Sequence, residues 1–429
     1  MAIKTGQQTI MLTSPVKLQS WAAVGGKKEA QGPLKHCFDI LSEDSYFGQS
    51  SWEKAETEML HRCMERCLDK AAGAKPECIV GGDLLNQCIS SAFAAKDSGL
   101  PYFGLYGACS TMAEGLILAS LLIDSGAYSS ALTMTGSHFS TAERQYRFPM
   151  EYGGQRTPSA QWTVTGAGAA LLGTEGGIKI SHITPGKIVD AGIVDAGNMG
   201  AAMAPAAYDT ITRHFADTGR DFGYYDAVFT GDLGALGHDI LQDMLQKDGL
   251  NPGIKYMDCG VLIYDLRTQD VHSGGSGCGC GASVLCGHII PAMTRGVWSK
   301  VLFAATGALM SPLSCQQGCS IPGICHAVAL GGINSALTNL CYDYAPVETR
   351  ADALAFIQAM SGLTGFLTTL AVSPLVSRIQ ENGNSLFGIP LYAQQVTSIL
   401  AFVLTAAVVV YIGAVLLRQP KAPAAEQKR

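Results

Sequence analysis

Two stretches of this chain repeat one another in order, and that repeat constrains the fold more than any other feature. Ile79-Val-Gly-Gly-Asp-Leu84 recurs as Val228-Phe-Thr-Gly-Asp-Leu233, and Gly126-Ala-Tyr-Ser-Ser-Ala-Leu-Thr-Met-Thr-Gly136 resembles the segment from Gly296 to Gly307. In both halves a strand, a Gly-Asp-Leu turn, a Gly/Cys turn, a helix and a second strand follow in the same sequence. A duplicated chain of this kind builds two sheets with covering helices, stacked about a pseudo-dyad. The same offset carries Cys109 onto the glycine-rich segment Gly274-Gly-Ser-Gly-Cys-Gly-Cys-Gly281, with Cys280 as its counterpart. Two small-residue, cysteine-bearing turns are therefore expected to face each other at the centre.

Short apolar runs support an α/β reading. Glu77–Val80, Ala131–Met134, Asp226–Phe229 and Val301–Ala304 alternate with amphipathic stretches and glycine-rich turns. The 50 glycines fit many tight turns, and hydrophobic residues at 48% supply a core. A net charge of -6 excludes a nucleic-acid binder, which needs a basic stripe. The N-terminus Met-Ala-Ile-Lys-Thr-Gly-Gln-Gln has no apolar core of a signal peptide, so the 14 cysteines are expected as free thiols in a reducing compartment.

The texture changes near residue 330. Residues 353 to 377 carry no charged side chain, Arg378 and Glu381 interrupt, and residues 382 to 417 are again uncharged before a basic tail. Each stretch is long enough to cross a bilayer core of about 30 Å. Two transmembrane helices with both ends cytoplasmic are expected; a pair of buried soluble helices is the alternative. The expected organisation is residues 1–175 and 176–330 as two halves, and 331–429 as a membrane hairpin.

Chemistry concentrates in three places. An apolar strand, Tyr102 to Leu105, runs into Gly107-Ala-Cys109-Ser110 and then a helix from Met112 to Ile123. A cysteine at a helix N-terminus feels the positive end of the macrodipole, which favours a nucleophilic thiolate; a small buried thiol at a tight turn is the other reading. The segment Gly274 to Gly281 allows close backbone approach, as an anion nest or as simple close packing. The loop from Ser137-His138 to Arg156, with Arg144 and Arg147, is rich in groups that hold carboxylates, or it is a solvated loop with ion pairs. Cys278-x-Cys280, Cys286-x-His288, Cys63-x3-Cys67 and Cys315-x3-Cys319 lack the spacing of structural zinc, so no metal is expected.

Together these motifs resemble the thiolase superfamily and, within it, the stage V sporulation protein AD family. The carriers are Gly82-Asp-Leu-Leu-Asn-Gln87, Gly107-Ala-Cys-Ser110, Ser137-His138, Thr141-Ala-Glu-Arg144, Glu151-Tyr-Gly-Gly154, the segment from Gly200 to Ala207, Thr230-Gly-Asp-Leu233, Gly274 to Cys278 and Ala305 to Pro312. The resemblance implies a duplicated five-layer α/β/α/β/α fold and a homodimer paired through edge strands. It implies binding of dipicolinic acid, alone or as its calcium complex, and its uptake into the developing spore. The implied setting is the cytoplasmic face of the forespore or spore inner membrane, with other stage V sporulation A proteins as partners and no cofactor.

Cys109 falls on the thiolase nucleophile position. Related condensing enzymes place a histidine where this chain has Gly231-Asp232-Leu233, and Asn or His where it has Gly275-Ser276-Gly277. Without a histidine base, acyl transfer lacks its proton handling. A binding pocket is expected near Cys109, Asp232, Ser276, Cys278 and Cys280, with Arg144 or Arg147 meeting a carboxylate. An acyltransferase with His138 and Asp232 assisting Cys109, and a scaffold for membrane partners, are the alternatives. The tail resembles the last two helices of a major facilitator transporter, on Gly332-Ile-Asn334, Asn339 to Asp343, Asn384 to Ile389 and Tyr392 to Gln395.

Overall fold

A computed structural model describes residues 2–146 and 156–332, together with short stretches between 374 and 395. The chain divides into two compact units, Met1–Ser335 and Ala336–Arg429. Ten strands carry the first unit. They are β1 Lys17–Gly25, β2 Cys78–Gly82, β3 Tyr102–Leu105, β4 Ala131–Ser137, β5 Gly166–Gly173, β6 Ile178–Thr184, β7 Ala227–Thr230, β8 Tyr256–Asp258, β9 Lys300–Ala308 and β10 Gly323–Gly331.

The expected repeat is present in their order. The first five run β3-β2-β4-β5-β1 and the second five β8-β7-β9-β10-β6. Within each half the first three strands are parallel, and the last two alternate antiparallel. The halves join where β1 meets β6 at Leu18–Ile178 and Lys17–Lys179. Strand β2 is buried along its whole length, as a parallel strand covered on both faces must be.

Seven helices complete the layers: α1 Trp52–Asp69, α2 Ile89–Ala95, α3 Thr111–Asp124, α4 Phe139–Tyr146, α5 Met199–Thr218, α6 Gly234–Lys247 and α7 Cys278–Val284. Helix α1 is amphipathic. Ser51 caps it by accepting from Lys54 N, and Ala55, Met59, Leu60, Cys63 and Cys67 turn inward against β1 and β5. Helix α5, opened by Asn198 and closed by Gly219 in the left-handed region, covers β9 and β10 from outside with α6 beside it.

Helices α3 and α7 differ from these. Met112, Ala113, Leu116, Ile117, Ala119, Ser120 and Ile123 are all buried, as is every residue of α7. A helix apolar around its circumference must be enclosed. Helix α3 touches strands of both sheets, and α7 packs on β4 and β5 while Gly281 approaches Phe303 of β9. The layers are therefore α1/α2, first sheet, α3/α7, second sheet and α5/α6, the five-layer arrangement.

The expected membrane spans at 353–377 and 398–417 fall almost entirely outside the described residues. Among the described residues no helix is long and apolar enough to cross a membrane.

Candidate functional site

The N-terminal ends of α3 and α7 meet the turns after β2 and β7 at the centre of the first unit. Cys109 sits in a single 3-10 turn, Ala108–Ser110, directly before α3. Ala108 adopts φ +51°, a left-handed conformation uncommon for a residue with a Cβ. The second half presses against this turn: a Cβ on Gly307 would stand 2.9 Å from Gly107 O and 3.2 Å from Cys109 N. Glycine at 307 is what lets β9 pass so close.

The Cys109 thiol lies beside the Asp232 carboxyl, close enough for each to shift the other's proton, and Asp232 is itself almost completely buried. Thr306 Oγ1 donates to Asp232 Oδ1 at 2.8 Å, and Gly277 N and Ser276 Oγ donate to Oδ2 at 3.0 and 3.3 Å. Gly277, at φ +97°, aims that N–H. Burial raises the Asp232 carboxyl to about 7, against the downward pull of Cys109 and of the bonds from Thr306 and Gly277.

The thiolate expected from the helix dipole is not the state the site favours. Burial, then the neighbouring Asp232 charge and the Cys278 thiol, push the Cys109 thiol well above its usual range. Desolvation of a thiolate beside a carboxylate outweighs the partial charge of one helix end. Cys109 is thus a protonated thiol beside Asp232.

A cavity of about 360 Å³ opens on this group. Leu84, Cys109, Ala142, Tyr146, Met199 and Met310 supply much of its apolar wall, and Ser276, Gln161, Glu143, Asp195 and Arg156 its polar one. Gln161 Nε2 donates to Asp232 O at 2.6 Å and Gly275 O at 2.7 Å, tying the two C-half turns together. Arg156 lies 4.6 Å from the Trp162 ring centre and pairs with Asp270 at 3.2 Å.

Several expected site residues stand elsewhere. Arg144 pairs with Glu53 and lies over the Trp52 ring, outside the cavity lining, because α4 turns that side chain back toward α1. Arg147 lies outside the described residues. The arginine that lines the cavity is Arg156, at the end of the same segment. His138 does not line the cavity. Its Nε2 donates to Ser45 O at 2.8 Å and its Nδ1 accepts from Ser140 N at 3.2 Å, so neither nitrogen is left to serve Cys109. Burial lowers its proton affinity, with the Ser45 bond opposing.

Cys278 and Cys280 are fully buried behind the lining and donate to Gly136 O at 3.0 Å and Gly231 O at 3.6 Å. Cys278 packs beside Cys109, whereas Cys280 turns toward Cys259 and Tyr264 because residues two apart on a helix stand about 200° apart and face opposite sides. The two cysteine-bearing turns do meet, through Cys278 rather than Cys280. The described cysteines are all free thiols, and no group of three or more His, Cys, Asp or Glu among the described residues is placed to hold a metal. Thr306, Gln161 and Glu143 were not expected as site residues; Thr306 and Glu143 sat in singled-out segments, the strand before Gly307 and Thr141-Ala-Glu-Arg144, and Gln161 in none.

The sequence family described as Stage V sporulation protein AD matches residues 6–331. The chain belongs to that family. The Stage V sporulation protein AD of Bacillus subtilis (strain 168) is 43% identical over 327 residues, which span 76% of this chain and 96% of that protein. Two solved enzymes are similar in outline. The 3-oxoacyl-[acyl-carrier-protein] synthase III of Aquifex aeolicus VF5 is 15% identical with a TM-score of 0.47, over 74% of this chain and 99% of its own. A variant of OleA from Xanthomonas campestris is 12% identical with a TM-score of 0.49, over 75% of this chain and 99% of its own. Likeness at that level bears on neither activity nor ligand. The family match ends at residue 331, and these comparisons give the expected transporter-like tail no support.

Proposed function

We propose that this member of the sporulation family is a binding protein, and that its central cavity takes dipicolinic acid, alone or as the calcium complex. The observation that carries the reading is the combination of an arginine, Arg156, in the cavity lining with a Cys109 thiol that burial and the Asp232 charge keep protonated. Its volume suits a small ligand, since such sites run from about 300 to 1,000 Å³. Apolar walls around Leu84, Ala142 and Met199 would cover an aromatic ring, and Arg156 would meet a carboxylate. Calorimetric titration of dipicolinate into the full chain tests this. Saturable binding that Arg156→Ala weakens supports it, and a folded protein with no heat of binding ends it.

The binding reading extends to an uptake role at the cytoplasmic face of the spore inner membrane, with other stage V sporulation A proteins as partners. The uncharged stretches at 353–377 and 398–417 would tether the chain there. Alkaline carbonate extraction of membranes from cells making the full chain tests the tether; complete release removes it. A homodimer is proposed along the edge strand β3, where Phe93, Phe103 and Tyr106 stand exposed. A monomeric mass in light scattering at micromolar concentration excludes it.

One observation favours a second reading. Asp232, at about 7, is an acid–base group beside the Cys109 thiol. Acyl transfer to Cys109 would then use Asp232, not His138, to take the proton. Intact mass after incubation with acyl-CoA separates the two readings, an adduct lost in Cys109→Ala being the mark of the second.

A further inference from the structure

Two buried carboxyl groups lie behind the cavity wall, and the dipicolinate reading leaves both without a role. Glu56 on α1 and Asp83 after β2 have no exposed surface. Asp83 accepts three hydrogen bonds, from Leu85 N at 2.8 Å, Ser91 N at 2.7 Å and Ser91 Oγ at 2.6 Å. Glu56 has far less support. Its Oε2 contacts Thr141 Oγ1, and its Oε1 has no hydrogen-bond partner among the described residues.

Thr141 settles where the proton sits. A hydroxyl carries one proton. Thr141 Oγ1 lies within reach of two oxygens, Glu56 Oε2 and the His138 carbonyl at 2.8 Å. Both contacts are satisfied at once when Thr141 donates to His138 O and Glu56 donates its own proton to Thr141 Oγ1. Burial first, then repulsion from Asp83, hold the Glu56 carboxyl well above its usual range, and the hydrogen bond with Thr141 opposes them only in part.

Thr141 stands on α4, the helix that supplies Ala142, Glu143 and Tyr146 to the cavity. The helix has other ties. Tyr146 OH and Gln145 Nε2 both donate to Leu84 O at 2.8 Å, and Arg144 pairs with Glu53. These are partly or fully exposed, whereas the Glu56–Thr141 contact is buried. The titratable groups that bear on Glu56 from other elements are Asp83 and the Cys278 thiol of α7. His138 is held by Ser45 O, and among the described residues no Lys or Arg is one of the groups acting on Glu56. An ionised Glu56 would stand next to Asp83 with no opposing charge, and α4 would have to yield or admit water.

We propose that Glu56 is a positioning residue: as a neutral carboxylic acid it pins α4 through Thr141 and sets one wall of the cavity, and it releases that wall when it loses its proton as pH rises. The ligand half of this inference rests on the dipicolinate reading; the structural half does not. Two measurements on the full chain test it, run from neutral to alkaline pH on the wild type, Glu56→Gln and Glu56→Ala. One is dipicolinate titration by calorimetry. The other is amide hydrogen exchange of residues 139–146 without ligand, corrected for the intrinsic rate.

Glutamine keeps the shape, donates to Thr141 and cannot ionise. The wild type should lose affinity by about tenfold or more as pH rises, with protection of α4 falling in parallel, while Glu56→Gln keeps its α4 protection flat and loses only the affinity that ionisation of Asp232 near pH 7 takes from both proteins. Glu56→Ala should be weak in both already at neutral pH. If alanine does not fold there, Thr141→Val removes the same contact from the α4 side and should show the same loss of protection. The inference is overturned if Glu56→Gln tracks the wild type across the pH range. If the wild type binds no dipicolinate at any pH, the ligand reading fails. Exchange then decides alone: an alkaline loss confined to the wild type upholds Glu56, and equal behaviour of the two overturns it.

Discussion

The turn after β2 and the turn after β7 carry the same Gly-Asp-Leu motif, at Gly82-Asp83-Leu84 and Gly231-Asp232-Leu233, yet their aspartates do different work. Asp83 binds locally. Its donors come from two and eight residues further along the chain, and it ties the start of α2 to the end of β2. Asp232 binds across the molecule. Its donors, Ser276, Gly277 and Thr306, lie 44, 45 and 74 residues away, and Cys109 reaches it from the other half. In the second half the local role has passed to Asp258, which accepts from Leu233 N at 2.9 Å, Gly234 N at 3.0 Å and Thr230 Oγ1 at 2.7 Å. Freed from holding its own turn, Asp232 stands buried behind the cavity lining, where it holds Ser276 and lies beside Cys109. A repeated motif thus reports a repeated fold and leaves the function of each copy open.

The comparison can be broken most severely at Asp83. Asp83→Ala strands two buried backbone N–H groups and should cost about 2–4 kcal/mol of stability, read as the shift of a denaturant midpoint. A loss below that of Asp232→Ala would reverse the assignment of local and long-range roles. Arg156→Ala should lower dipicolinate affinity by about 10- to 100-fold, the worth of a charge-assisted bond, with little change in stability. Equal loss in Asp83 variants that remain folded would mean that the first-half aspartate also serves the ligand.

Asp232 should also show itself through pH. Its folded value, about 7, stands above the ordinary 3.8. The folded state therefore holds a proton that the unfolded state has released, so this contribution to stability is full below the ordinary value and is lost as pH rises toward 7. Stability of the wild type should decline over that window, and Asp232→Asn should flatten the decline. A slope unchanged in the asparagine variant would show that another group is responsible. A further effect is expected for Thr306→Val, which removes two bonds to Asp232, the donation to Oδ1 and the acceptance from its buried N–H, for about 2 kcal/mol, and should move the Asp232 titration upward.

Much of the architecture was legible in the residues. Strand Tyr102–Leu105 and the helix beginning at residue 111 lie within a residue of their expected bounds, because an apolar run into Gly-Ala-Cys-Ser admits few backbones. The pairing of β4 with β9 as equivalents was legible from their glycine-bounded sequences. The site was less so. Arg144, Arg147 and Arg156 share a segment and a chemistry, and nothing in their spacing says which one reaches the cavity. His138 follows a strand that ends at the centre, and only its contact with Ser45 O shows that it is already taken.

By itself the sequence determined the duplication, the α/β layers and the placing of a thiol at a helix start. These follow from local properties: periodicity and turn residues. Only the tertiary structure decided the state of that thiol, since the Cys109 proton depends on burial and on Asp232, more than a hundred residues away. It alone gave Arg156 rather than Arg144 to the cavity, and separated Cys278 from Cys280. Charge, desolvation and side-chain direction act through space, and their distances are set when the two halves close on one another.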